Sequence, residues 1–166
     1  MRVFKFGGAS IKDPQAIRNV LHVLKTVGFD NSLIIASAMG KTTNALEDVI
    51  NAYFKKPEEL KNAIKFIKNY HLEIVDDLFE NKSHLIFDKV NVLFGELEFF
   101  LNNNKSPNYN FVYDQVVSYG EIVATTILSY FFNDQDIENV WVDARNLIKT
   151  DTTYRDAKVD WHATEK

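Results

Sequence analysis

The sequence has no cysteine, and among 166 residues only three prolines and six glycines. Without cysteine there is no disulfide framework, no thiolate zinc site and no thiol nucleophile. No apolar run approaches the roughly 18–20 residues that span a bilayer. The first strand-like residues, Met1–Phe6, meet glycine before they can build the apolar core of a secretory leader. Positive charge is not in excess either. Nineteen Lys and Arg face 23 Asp and Glu, a formal net charge of −4, which argues against a general nucleic-acid surface. Hydrophobic residues at 46% and charged residues at 25% exclude a disordered or fibrous chain. These absences leave one domain of ordinary size, expected in a cytoplasmic setting with neither nucleic acid nor membrane as partner.

Because turn-forming residues are scarce, those present punctuate the chain clearly. Arg2–Phe6 is a β-branched and aromatic run that stops at Gly7-Gly8, as a strand entering a tight loop does. Asp13-Pro14 reads as an N-cap followed by proline at the first helical position. Ile17, Val20, Leu21 and Leu24 then recur at helical spacing up to Gly28. Ser32–Ala38 predicts a second strand, buried on both faces, so the start is a βαβ unit with parallel pairing. Asn44 with Glu47 suggests a capping box for a helix to about Phe54, and Pro57-Glu58-Glu59 opens another. Leu60, Ile64, Ile67, Ile74 and Leu78 mark one stripe; Ile86, Val90, Leu93 and Leu97 mark the next, an added helical layer in the middle of the chain. Asn102–Asn108 is a polar loop. From Phe111 to Phe132 the pattern is helical again, with an interruption expected near Gly120. Val140–Val142 reads as a third strand and Leu147–Lys149 as a fourth, before a weakly patterned tail, Tyr154–Lys166.

Three segments carry chemistry. In Lys5-Phe6-Gly7-Gly8-Ala9-Ser10, paired glycines after a strand let backbone N–H groups turn toward an anion, with Lys5 as a nearby point charge; an ordinary turn has the same pattern. In Ser37-Ala38-Met39-Gly40-Lys41-Thr42-Thr43-Asn44, the Gly-Lys-Thr resembles a P-loop, but the glycine that motif requires five residues earlier is Ile35. What remains is a polar loop at the carboxyl end of a parallel strand, where ligands favour open α/β sheets, or simply a cap for the following helix. In Asp114–Glu121, Glu121 beside a helical glycine is either a solvated glutamate or a partly buried one that needs a partner. His22, His71, His84 and His162 lack the spacing of a metal site. Trp141 and the phenylalanines are most simply core, and Lys55–Glu59 is a solvated helix start.

In this order, Lys5–Ser10, Ser37–Asn44, Ser118-Tyr119-Gly120-Glu121 and Val142-Asp143-Ala144-Arg145 resemble the aspartate kinases of the amino-acid kinase superfamily. The resemblance covers nearly the whole chain, the helical middle in character rather than in residues. It implies a three-layer α/β/α fold with a mainly parallel sheet. The implied activity is ATP-dependent phosphorylation of the side-chain carboxylate of L-aspartate to an acyl phosphate, the first step toward lysine, threonine and methionine. Lys5 then neutralises charge on the transferring phosphoryl group, and Gly7, Gly8, Ala9 and Ser10 form its cradle. Ser37 and Thr43 contact the amino acid, and Glu121 faces its ammonium group. Magnesium accompanies ATP on phosphate oxygens, with no protein metal cage. Ala9 stands where many members carry Thr or Ser.

One departure matters. The family's later GRGGSD-type segment supplies an arginine for the substrate α-carboxylate and an aspartate near the phosphoryl group, and no glycine follows Arg145 here. Residues 1–166 are therefore expected to be a partial kinase domain, the amino-acid side, without the nucleotide-binding half or the regulatory ACT domains. Negligible activity of the chain alone and homo-oligomerisation follow as expectations. The alternatives are another carboxylate kinase of the same superfamily, or a non-catalytic binding or assembly module that keeps the fold.

Overall fold

The computed structural model describes residues 1–165. Asp13 opens the first helix as its sequence suggests, accepting the Ala16 N–H at 2.8 Å, and Gly28 closes it with a positive φ of 82°. The elements in order are β1 (Arg2–Phe6), a 3-10 turn (Gly8–Ile11), α1 (Pro14–Val27), β2 (Ser32–Ala36), α2 (Thr42–Lys55), α3 (Pro57–Leu78), α4 (Leu85–Asn103) and α5 (Tyr109–Asp134). Two short helices, α6 (Ala144–Leu147) and α7 (Trp161–Thr164), lie in the tail. Strands β1 and β2 pair in parallel with Phe4 opposite Ile34 and Lys5 opposite Ile35, the βαβ unit expected.

The helices supply most of the core. Helix α2 packs on α3 and α5, and α4 packs on α3 and α5, so these four form the helical layer, with α1 touching α3. Phe4, Phe6, Ile34 and Ala36 turn one face of the sheet onto this layer. The other face is open: Val3, Leu33 and Ile35 are 58%, 47% and 47% exposed. Alternation in β2 thus buries one face and not both, because the described residues place no layer on the second.

Several local expectations change. Helix α2 begins at Thr42, ahead of Asn44, so no capping box forms; Thr42 instead donates its hydroxyl to the Met39 carbonyl at 2.6 Å. Helix α5 runs unbroken through Gly120. Val140–Val142 is not a strand and pairs with none; the preceding Asn139 is tied to Ser129 and Asn133 of α5. Trp141 lies on the surface with its indole N–H on Thr125, and Phe66 and Phe99 are exposed as well. Leu147–Lys149 is not a strand: Leu147 ends α6, and the bridge is Thr150 to Val159. The tail returns along α5, with Arg155 stacked 4.3 Å over Tyr113 and Tyr154 edge-on to Phe111; Lys166 lies outside the described residues.

Among the described residues His71 is the one fully buried histidine, and burial holds its imidazole down at about 4 from an ordinary 6.5. Its Nδ1 lies 2.8 Å from the Ile67 carbonyl, which can only accept, so the neutral ring carries its proton there. Below pH 6.5 the unfolded chain takes up a proton that the folded chain refuses until about pH 4. We therefore expect His71 to remove stability as pH falls through that window, on the order of 3 kcal/mol. Urea unfolding midpoints at pH 7 and 4.5 check this: the difference shrinks in His71→Leu if the histidine is its source.

Candidate active site

The three chemistry-bearing segments are brought together by backbone. Strands β1 and β2 end side by side, with the Ser37 N–H donating to the Phe6 carbonyl at 3.1 Å, so both following loops leave the same edge of the sheet. The Gly40 N–H then donates to the Gly8 carbonyl at 3.0 Å and locks loop to loop. A Cβ on Gly8 would lie 2.7 Å from the Ala38 carbonyl oxygen, so only glycine allows this approach. Gly40 itself adopts φ +53°, where side chains are strained.

Helix α5 reaches the same point. A Cβ on Gly120 would stand 2.9 Å from the Ala38 Cβ and 3.2 Å from Leu46 Cδ1, so the helix seats directly against the second loop. One residue on, Glu121 accepts the Ala38 N–H through Oε1 at 3.3 Å. This long bond answers part of the carboxylate's need for a partner and leaves its other oxygen for a ligand. Ala38 is thus touched by segments from both strands' loops and from α5.

Around this junction stand the side chains singled out by the sequence. Lys5 is exposed on β1, and its ammonium nitrogen lies 3.4 Å from where a Gly7 Cβ would be, so the charge folds back over the first loop. Gly8 opens the 3-10 turn, leaving its first amides without intrahelical acceptors; Ala9 and Ser10 are exposed on that turn. Ser37 is half-buried, its hydroxyl 3.4 Å from the Ala38 carbonyl, and Thr43 is half-buried in the first turn of α2. Among the described residues, neither Lys5 nor Glu121 is in an ion pair. A cation, the amides that open a 3-10 turn, hydroxyls and a carboxylate along one edge suit an anionic group at the first loop and an ammonium group at Glu121.

Sequence reasoning named Ala38 and Gly120 only within longer motifs and gave Tyr70 no role. Gly120 reads as a helix breaker, although a glycine among apolar residues on both sides signals close packing equally well. Tyr70, on α3, donates its hydroxyl to the Lys12 carbonyl at 2.5 Å. Burial, with the Asp13 carboxylate adding, pushes its phenol above the ordinary 10, so it remains a donor.

The sequence profile of the amino acid kinase family matches residues 1–165. A bifunctional aspartokinase/homoserine dehydrogenase 2 of Arabidopsis thaliana (chloroplastic) is 28% identical over 171 aligned residues, covering 99% of this chain and 18% of that protein. Aspartokinase 1 of the same plant, also chloroplastic, is 27% identical over 148 residues, 86% of this chain and 25% of its own length. Among solved structures, Escherichia coli aspartokinase III in complex with aspartate and ADP superposes with a TM-score of 0.85 at 22% identity. It covers 99% of this chain, which spans 36% of that one. The fold is the same. The chain spans a quarter or less of the length of these two curated relatives.

The close approach at Gly120 has a measurable cost. Gly120→Ala should destabilise by about 1–3 kcal/mol through overpacking against Ala38 and Leu46. Gly95→Ala, on α4 with nothing within 4 Å of the added carbon, should stabilise by up to about 1 kcal/mol. Urea denaturation of both variants checks this; shifts of the same sign would contradict the seating of α5.

Proposed function

Because the chain belongs to the amino acid kinase family, we propose that it forms the amino-acid side of an aspartate kinase domain. In this reading, residues 1–166 serve the ATP-dependent phosphorylation of the L-aspartate side-chain carboxylate. The carrying observation is the junction at Ala38, which gathers the Lys5–glycine loop, the second loop and Glu121 along one edge. The similarity to aspartokinases in sequence and to an aspartate-and-ADP complex in fold supports the same reading.

The chemistry asks little of a base. A carboxylate oxygen is already nucleophilic: it attacks the γ-phosphorus, the bond to the bridging oxygen breaks, and ADP leaves with that electron pair. The protein's task is to orient and to stabilise charge. Lys5 and the amides around Gly7, Gly8 and Ala9, with Ser10 on the same turn, hold and neutralise phosphoryl oxygens. Ser37 and Thr43 fix the amino acid, and Glu121 receives its ammonium group. No cluster of His, Asp and Glu among the described residues could hold a metal ion. The donors here suit a phosphoryl group, and the magnesium the family implies would ride on the nucleotide's phosphate oxygens. Adenine, ribose and the substrate α-carboxylate fall to parts of the domain beyond these residues. No helix among the described residues is long and apolar enough to cross a membrane. We place the chain in the cytoplasm, with the plastid as the setting of its chloroplastic relatives.

Calorimetric titration tests this. The chain should bind L-aspartate in preference to L-glutamate, and Glu121→Gln should weaken binding about tenfold through loss of a charge-assisted contact. Equal uptake of both amino acids would refute the aspartate reading. With ATP, magnesium and aspartate, hydroxylamine trapping should yield no acyl hydroxamate from the chain alone; Lys5-dependent turnover would contradict its inactivity.

The open sheet face also bears on assembly. Val3, Leu33 and Ile35 offer an apolar surface of the kind that drives association. We expect the isolated chain to form homo-oligomers, and Leu33→Lys with Ile35→Lys to shift it toward monomer in light scattering. A wild-type monomer at high concentration would refute this.

A further inference from the structure

Helix α3 lies outside the three segments so far given a role, yet two of its consecutive residues touch both site loops. Tyr70 donates its hydroxyl to the Lys12 carbonyl, just after the 3-10 turn of the first loop. The same oxygen lies 2.8 Å from where a Gly40 Cβ would stand, so it also presses on the second loop. His71 faces the start of α2: its Nε2 is 3.5 Å from the Thr42 hydroxyl oxygen. That hydroxyl has one proton, and the Met39 carbonyl at 2.6 Å takes it. Since Nδ1 carries the ring proton toward Ile67, Nε2 meets Thr42 as a lone pair.

The imidazole is itself wedged. Tyr70 meets it edge-on at 5.1 Å and Phe94 of α4 lies 5.7 Å away, so neither neighbour ring leaves it free to turn. Ile67, Thr42, Tyr70 and Phe94 are all uncharged, and the ring stays neutral at pH 7. The Thr42 hydroxyl thus lies between two acceptors, the Met39 carbonyl and His71 Nε2. With its proton on the Met39 carbonyl, that hydroxyl closes the turn from Met39 to Thr42, where Gly40 makes its bond to Gly8, and the wedged ring backs it.

We propose that Tyr70 and His71 are positioning residues, a clamp on α3 that sets the seat of the second loop against the first. Through that seat they hold Ser37 and Thr43 in register with the phosphoryl cradle. The role in aspartate binding rests on the aspartate-kinase reading, whereas the clamp itself does not.

Hydrogen exchange on the ligand-free chain, read at the Gly40 amide, is the test. Tyr70→Phe removes only the hydroxyl and should lower Gly40 protection about tenfold, the size of one hydrogen bond; His71→Leu, in which Thr42 loses a polar neighbour but no hydrogen bond, should lower it by a smaller factor. The Ile127 amide in the middle of α5 should keep its protection, which separates a local clamp from general loosening. His71→Gln, which restores a polar group toward Thr42, should recover Gly40 protection. Unchanged Gly40 protection in Tyr70→Phe, or an equal fall at Gly40 and Ile127, overturns the proposal. L-aspartate titration of the same samples then separates the two claims. A local loss at Gly40 in a chain whose wild type ignores aspartate upholds the clamp and refutes the substrate. A wild type that binds aspartate, with both variants equally tight and fully protected, refutes the clamp alone.

Discussion

The structure depends on close backbone approach at Ala38. Gly8, Gly40 and Gly120 come from the first loop, the second loop and α5, and two of them, Gly8 and Gly120, would collide with Ala38 if they carried a Cβ. Everything assigned to the site follows from that contact. The Gly40-to-Gly8 bond sets loop against loop, and the seating of Gly120 delivers Glu121 to the Ala38 amide. Charged and polar side chains at such an edge need a frame that does not relax when a ligand arrives, and packed backbone supplies it more firmly than side-chain contacts do.

Behind that junction the helical layer carries buried polar groups set against polar neighbours. Among the described residues, no buried side-chain nitrogen or oxygen lacks a polar neighbour at hydrogen-bond distance. Thr42 and His71 share that accounting, and Tyr113 donates to Glu47 at 2.8 Å where the returning tail covers α5. An unpaired group in such a place costs about 1–3 kcal/mol, so each of these bonds constrains geometry more than its net strength suggests. The open face of the sheet has no such constraint; it is simply apolar surface in water.

Local chemistry was legible and distant pairing was not. Asp13, Pro14 and Gly28 bracket α1 because a cap, a first-turn proline and a C-terminal glycine act within a few residues. Pro57 and the stripe from Leu60 to Leu78 did the same for α3. The glycine loops at Gly7-Gly8 and Gly40 were visible through their resemblance to a family more than through spacing. Val140–Val142 has the residue types of a strand, but a strand exists only when an edge receives it, and side-chain bonds from Asn139 hold this segment to α5. Gly120 misled for the complementary reason: helix propensity is local, whereas the gain from seating α5 on Ala38 comes from residues far away in sequence. The clamp by Tyr70 and His71 could not have been read from one sequence, because only the fold places α3 beside both loops.

The bond between Glu121 and Ala38 joins residues 83 apart, the longest sequence separation of any side-chain hydrogen bond described. Its loop contains all of α2, α3 and α4. The two strand loops are joined by one helix, but the carboxylate comes back to them across three. Contacts across long loops form late because their closure entropy must be met before they contribute. As the chain emerges from a ribosome, its two strand loops are therefore made well before Glu121, and the junction at Ala38 can be completed only once α5 has followed.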